Sequence, residues 1–285
     1  MKNRRTFFIY LVTIIFLVGC KSQRNTGVKF QQQERAPQNL VGVSKALDNI
    51  LKSIEKVEKA LEAPETVIKM DKKNEEKSSE GTSTSSETDK KNKENQESKK
   101  GETGSKSSNI DEILLEEWKK VDKELENAHR LWNAFEVEGM KKGVTKERAD
   151  KFEESLNFFT TAIEKRNIID IYDYGSQSMS NLGPMYDLYR DEIKGEISRI
   201  KYAAHQCYLR ASQGRIEESL TLLNGTEEYI NIMRQKIGTD NVKIKALDKV
   251  VLSIGDMRSS LKENSIKLFR IKKDIIIKNL EDLEK

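Results

Sequence analysis

The chain has 285 residues, 34% of them charged and 36% hydrophobic, with two cysteines, two histidines and three prolines. So few breakers among so many lysines and glutamates point to long, solvent-exposed helices and away from a sheet-based enzyme fold. The formal net charge of +4 carries no chain-wide polyanion signal, so any such signal has to be local.

The N-terminus opens with Lys2, Arg4 and Arg5, followed by an apolar run from Thr6 to Val18. That run is short for a membrane span and right for the core of a signal peptide. It ends in Leu17-Val18-Gly19-Cys20, which resembles the bacterial lipobox. The resemblance implies a signal peptide over 1–19, acylation of Cys20 with diacylglycerol and palmitate, and anchoring to a lipid bilayer in the cell envelope at the outer membrane. Removal of the three leader charges leaves +1 for the mature chain. Cys207 is then the lone remaining cysteine and has no internal disulfide to make. It lies among Ala203, Ala204 and Ala211 and reads as a buried small hydrophobe.

Residues 20–39 read as a polar, lipidated tether. Leu40, Val43, Leu47, Ile50, Ile54, Val57 and Leu61 then alternate three and four apart, a heptad helix over 40–63 that stops at Ala63-Pro64. So narrow an apolar stripe needs a partner, either the main domain or a second chain by self-association. Residues 64–108 are dominated by Lys, Glu, Ser, Asn, Thr and Gly without an apolar stripe and read as a disordered linker.

The main domain is expected over 109–285. Asn109 and Glu112 resemble a capping box, and Leu114, Trp118, Val121, Leu125, Ala128, Trp132 and Phe135 hold helical spacing. Gly139–Val144 breaks the run, Thr145 is placed to cap the next helix, and Phe152, Leu156, Phe159 and Ile163 share one face. A shorter helix follows over Asn167–Ser180, then Asn181-Leu182-Gly183-Pro184 as a turn. Tyr186, Ile193, Ile197, Ile200, Ala204, Cys207 and Ala211 predict one long helix, kinked at Gln213-Gly214 and continuing to Asn224-Gly225. Thr226 is placed to cap a helix through Ile237, and Val242–Leu283 closes the chain with Leu247, Val251, Ile254, Leu261, Leu268 and Ile275 inward. No strand alternation is present. The fold class is all-α, an elongated helical bundle or a set of antiparallel coiled-coil hairpins behind a disordered tether.

Catalytic constellations are missing from the sequence, and no enzyme and no cofactor is expected. His129 and His205 sit in no cluster of zinc spacing and read as surface or boundary residues. The acid pairs Glu116-Glu117, Glu153-Glu154, Glu217-Glu218 and Glu227-Glu228 read as solvated helix charge. The local signal is at the C-terminal end, IKLFRIKKDIIIK, where Lys262, Lys267, Arg270, Lys273 and Lys278 fan over the expected outer face of one helix. Such a stripe tracks a phosphate backbone. Lys272 falls on the apolar face and needs a carboxylate or a route to solvent. Further basic residues are Lys141, Lys142, Lys146 and Arg148 near one turn, and Arg199, Lys201, Arg210 and Arg215 along the long helix.

Leader, tether and helical domain together resemble the plasmid-encoded lipoproteins of Lyme-disease and relapsing-fever spirochaetes. Ile171-Tyr172-Asp173-Tyr174-Gly175-Ser176 and the run Arg210–Glu218 are similar to Borrelia paralogous family twelve. That resemblance implies coiled-coil lipoproteins shaped like the arms of chromosome-maintenance proteins, with non-specific binding of double-stranded DNA. The alternative expectation is an outer-surface lipoprotein that engages a host plasma or matrix protein. A membrane-lying C-terminal helix ranks last, because its apolar residues wrap too far around the wheel.

Overall fold

The computed structural model describes residues 35–62, 104–189 and 193–285. The expected signal peptide, Cys20, the tether up to Glu34 and residues 64–103 of the expected linker lie outside the described residues, whereas Gly104–Ser108 of that linker are helical. The helices are α1 (Gln38–Glu62), α2 (Gly104–Lys142), α3 (Lys146–Glu164), α4 (Ile168–Tyr186), α5 (Lys194–Ser212), α6 (Ile216–Asn224), α7 (Thr226–Ile237), α8 (Asn241–Ser260) and α9 (Ile266–Glu284), with a 3-10 turn at Leu261–Glu263. Among the described residues there is no strand, so the fold is all-α. No described helix is long and apolar enough to cross a membrane.

The heptad helix is part of the core. Leu40, Val43, Leu47, Ile50, Ile54 and Val57 are all buried, joined by Ala46, Leu51, Ser53 and Ala60. Those added positions widen the stripe, because α1 packs on α2 along one side and on α4 along another. Only Leu61 stays outside, at 59% exposure. The stripe therefore closes within the chain, and self-association through Leu40–Leu61 would require its removal from the core.

Around α1 the chain forms successive antiparallel neighbours. In α2, Val121, Leu125, Ala128, Trp132 and Phe135 are buried as the spacing predicts. The helix starts at Gly104, so Asn109 is an interior position and not a cap. Trp132 packs on Phe152 of α3 at 4.3 Å between ring centroids. Gly143 ends the helix at φ +116°, a conformation that L side chains rarely adopt. Thr145 caps α3 as expected, accepting from the Arg148 amide.

Helix α4 corrects the sequence reading. It runs through Asn181–Pro184 to Tyr186 without a turn. Pro184 lies inside the helix, in its last turn, where it cannot donate the usual hydrogen bond to the Ser180 carbonyl, and the helix ends within three residues of it. Gly183 is there for packing: a Cβ would stand 3.0 Å from the Arg199 guanidinium. The real break comes after Tyr186, so Tyr186 and Ile197 belong to different helices. Helix α5 is the most enclosed element and touches α4, α6, α7 and α9. Gly214, at φ +75°, separates α5 from α6 outright where a kink was expected.

The last expected helix is two. Asn264 adopts the left-handed conformation at φ 46°, and Ser265 caps α9 by accepting from the Leu268 amide at 3.3 Å. Asn and Ser are the residue types that supply these geometries. Helices α8 and α9 fold back as a hairpin, pinned by Lys272–Asp256 at 3.2 Å and by Asn279 Nδ2 donating to the Lys249 carbonyl at 3.2 Å.

Two helical glycines test this packing with opposite signs. A Cβ on Gly175 would meet Phe159 Cε2 at 2.7 Å and Leu51 Cδ2 at 3.0 Å, whereas one on Gly255 would meet nothing within 4 Å. In urea denaturation, Gly175→Ala is expected to lower stability by about 1–3 kcal/mol through overpacking. Gly255→Ala is expected to raise it by about 0.5–1 kcal/mol through helix propensity.

Candidate nucleic-acid interface

Splitting the C-terminal helix changes where the five candidate cations stand. Lys262 lies in the turn, while Lys267, Arg270, Lys273 and Lys278 lie on α9. Lys262, Lys267 and Lys278 are exposed. Arg270 and Lys273 are not on the outer face: their side chains are only 6% and 1% exposed. The inward residues of α9 are Phe269, Arg270, Lys273, Ile276, Leu280 and Leu283, whereas Leu268 is half-buried and Ile275 is 40% exposed. The helix is rotated by about one residue from the expected seam, because the Asn264-Ser265 break lets α9 choose its own register against α1 and α5.

What draws two cations inward is an acidic stripe on α1. Asp48, Glu55, Glu58 and Glu62 are spaced seven, three and four apart, so they share one face beside the apolar one. Arg270 bonds Glu62 bidentately, with both Nη atoms donating at 2.6 Å, and its Nη2 is also 3.0 Å from Glu58. Glu58 further accepts from Tyr208 Oη at 2.6 Å and from Tyr172 Oη at 3.2 Å. Lys273 Nζ sits 2.8 Å from Asp274 and 3.6 Å from Glu55, and lies over the rings of Tyr172 and Tyr208 at 5.2 and 5.3 Å. Lys201 of α5 is likewise buried and bonds Asp48 at 2.8 Å and Glu284 at 3.0 Å.

Titration behaviour follows this geometry. Burial alone would raise the Glu55 carboxyl, but Lys273, Asp274 and Lys59 outweigh it and hold it at about 2. Burial and the Glu58 carboxylate push the Tyr208 phenol up to about 12. Arg270 is raised by its hydrogen bonds to Glu62, against the cost of its burial. His205, expected at the surface, is buried and stacked on Tyr172 at 5.8 Å, and its Nδ1 has no hydrogen-bond partner among the described residues. Burial, and then the Lys273 charge, lower its pKa well below the ordinary value. His129 is half-buried and bonds Thr160 at 2.8 Å. Cys207 is a buried free thiol, pushed up to about 12 by burial, which suits an inert packing residue.

Two other expectations shift. Glu117 is buried, not solvated, and bonds Lys120 at 2.7 Å and Lys56 at 3.4 Å. Of the internal basic set, Arg199 chelates Asp187 and Lys201 is enclosed, so neither joins an outward stripe.

The remaining surface charge is segregated. Ile110–Glu164 carries nine basic and fourteen acidic side chains, a net −5. The α8–α9 hairpin, Asn241–Lys285, carries eleven basic and seven acidic ones, a net +4. On the hairpin, Lys243, Lys245, Lys249, Lys262 and Lys267 are exposed with no carboxylate at ion-pair distance among the described residues. The acids are mostly engaged: Asp248 by Arg234, Asp256 by Lys272, Glu281 by Lys52, Asp282 by Lys278 and Glu284 by Lys201. No protein-family model, curated protein or solved structure matches the chain.

The two populations of cations are separable by mutation. Arg270→Ala removes the buried guanidinium that half-buried Glu58 and exposed Glu62 share and is expected to cost about 3–5 kcal/mol in urea denaturation. Lys267→Ala, at the surface, is expected to change stability by less than about 0.5 kcal/mol. The histidine adds a pH signature. His205 has a depressed folded pKa, so below about 6.5 the unfolded chain binds the extra proton and stability falls with pH, by up to about 1.4 kcal/mol per unit. His129, lowered by its own half-burial, acts with the same sign. A shallower stability slope between pH 7.5 and 5.5 is therefore expected for His205→Gln than for the wild type.

Proposed function

We propose that this chain is a non-catalytic binding module of the cell envelope whose α8–α9 hairpin contacts double-stranded DNA, without base readout, through the phosphate backbone. The observation that carries this reading is the charge imbalance on the hairpin: five exposed, unpaired lysines beside acids that are nearly all held by other cations. Glu263, in the turn, is the exposed hairpin acid without such a partner among the described residues. Lysines serve here as point charges that each displace counterions, which gives affinity without sequence preference. Of the original candidates, Lys262, Lys267 and Lys278 stay in the contact surface, and Lys243, Lys245 and Lys249 join them from α8. Arg270 and Lys273 leave it for the buried network. Anchoring through an acylated Cys20 would hold this module at a bilayer of the outer membrane.

Gel-shift titration is the direct test. Because α1 supplies part of the core, the fragment has to begin at Arg35, which opens the compact unit Arg35–Lys285. Binding is expected to be indifferent to sequence and to weaken with salt at a log–log slope of about −0.9 per phosphate neutralised. Lys245→Ala, Lys249→Ala, Lys262→Ala and Lys267→Ala combined are expected to flatten that slope by about 3–4. An unchanged slope overturns the assigned surface. A saturable, salt-insensitive complex with a host plasma or matrix protein, and no DNA shift, would replace the reading.

A further inference from the structure

The hairpin carries a feature that phosphate contact does not use. Leu252 is 70% exposed, Ile271 45% and Ile275 40%, and all three lie on this one hairpin. On α9, Lys267, Ile271, Ile275 and Lys278 fall within an arc of about 80° at 100° per residue, opposite the side that packs inward. On α8, Lys245, Lys249, Leu252 and Asp256 fall within an arc of about 60°. Asp256 reaches across to Lys272, and Asn279 reaches the Lys249 carbonyl, so the two lines run side by side on one surface. That antiparallel register sets Leu252 level with residue 276, beside Ile275, and Lys249 level with residue 279, beside Lys278. The surface therefore has an aliphatic middle, Leu252, Ile271 and Ile275, with Lys267 at one end and Lys249 and Lys278 at the other.

We infer that this face docks on an anionic lipid bilayer. An aliphatic centre framed by lysines is the arrangement that seats a helix at the headgroup boundary, with the aliphatics in the acyl region and the ammonium groups among lipid phosphates. The helix no longer wraps too far around for this role, because Phe269, Ile276, Leu280 and Leu283 are turned into the core. Charge complementarity selects the occupant: Lys249 and Lys267, which have no carboxylate at ion-pair distance among the described residues, suit an anionic surface and oppose a second copy of the same face, while Lys278 is paired with Asp282. Proximity agrees with it. If Cys20 is acylated, about 15 residues separate it from Arg35, which span at most about 50 Å, so the domain is confined near a bilayer at high effective concentration. The inference goes beyond DNA contact, and the two share lysines but not the aliphatics.

The test uses Arg35–Lys285, whose core is complete, so that the apolar leader contributes nothing to lipid binding. It is sedimented with vesicles of phosphatidylcholine alone or of phosphatidylcholine with phosphatidylglycerol, beside the variant Leu252→Ser/Ile271→Ser/Ile275→Ser. The wild type is expected to sediment with the phosphatidylglycerol vesicles and not with phosphatidylcholine alone. The variant is expected to bind at least about tenfold more weakly, with helix content, melting temperature and DNA shift unchanged. Wild-type protein that stays in solution with both vesicles overturns the inference, as does a variant that binds as well as wild type. So does a variant that alters only self-association in sedimentation equilibrium. Loss of the DNA shift in the wild type counts against DNA contact alone and leaves the vesicle result standing.

Discussion

The molecule depends on one buried encounter: the acidic face of α1 against Arg270 and Lys273 of α9. Glu58 is its centre, taking donors from Arg270, Tyr208 and Tyr172, which come from α9, α5 and α4. Four helices distant in sequence are thereby referenced to one carboxylate. An apolar contact would tolerate sliding by a residue or a turn. A bidentate guanidinium on Glu62 and two phenol hydroxyls on Glu58 do not, since each slip leaves a desolvated charge without its donors. The network also explains why α1, joined to α2 through 41 residues outside the description (63–103), is held so closely: its apolar stripe gives the adhesion and its acidic stripe gives the register.

Such a network is not the most stable way to fill the space. Desolvating ions costs more than most buried pairs return, and a well-packed apolar replacement is often as stable. What the arrangement gives is discrimination among packings of helices that are otherwise alike, long, lysine-rich and leucine- and isoleucine-striped. Lys273 shows the device at its most enclosed. A side chain 1% exposed meets Asp274, Glu55 and the faces of two tyrosine rings. His205, stacked on Tyr172 nearby, has its pKa lowered by burial first and then by the Lys273 charge.

Helix content and most boundaries were legible from periodicity, because apolar residues at three-four spacing have few other uses in a chain with so few breakers. Thr145 as a cap, the break at Gly143 and Cys207 as a core residue all follow from local chemistry. Three things did not. Pro184 reads as a helix start, but α4 carries it inside its last turn despite the lost amide donor, and Arg199 against Gly183 is a tertiary fact. The break at Asn264-Ser265 carried a signal, a left-handed-tolerant residue followed by a cap, hidden inside a run whose apolar spacing continued across it. The candidate site was legible only in part, since charge alone does not say which way a lysine points. The missing cue was on another helix: Asp48, Glu55, Glu58 and Glu62 form a second stripe on α1, and three half-buried carboxylates with an exposed fourth on one face demand basic residues elsewhere.

That demand accounts for the unusual composition of α9. A helix required to give two cations to the interior and to present lysines outside must be basic on two faces at once. It must also fill the core with Phe269, Ile276, Leu280 and Leu283. The sequence IKLFRIKKDIIIK combines both demands within 13 residues, with Phe269 and Ile276 as its share of the core, which is why it looks too basic and too apolar for one surface. Its inward cations are fixed by α1 and are not free to serve as contacts. Its outward lysines have no such obligation, and neither do Ile271 and Ile275, which no element of the described bundle covers. Structural need explains the first group and leaves the second unexplained, so any selective advantage of the exposed Lys–Ile face has to come from something outside the fold.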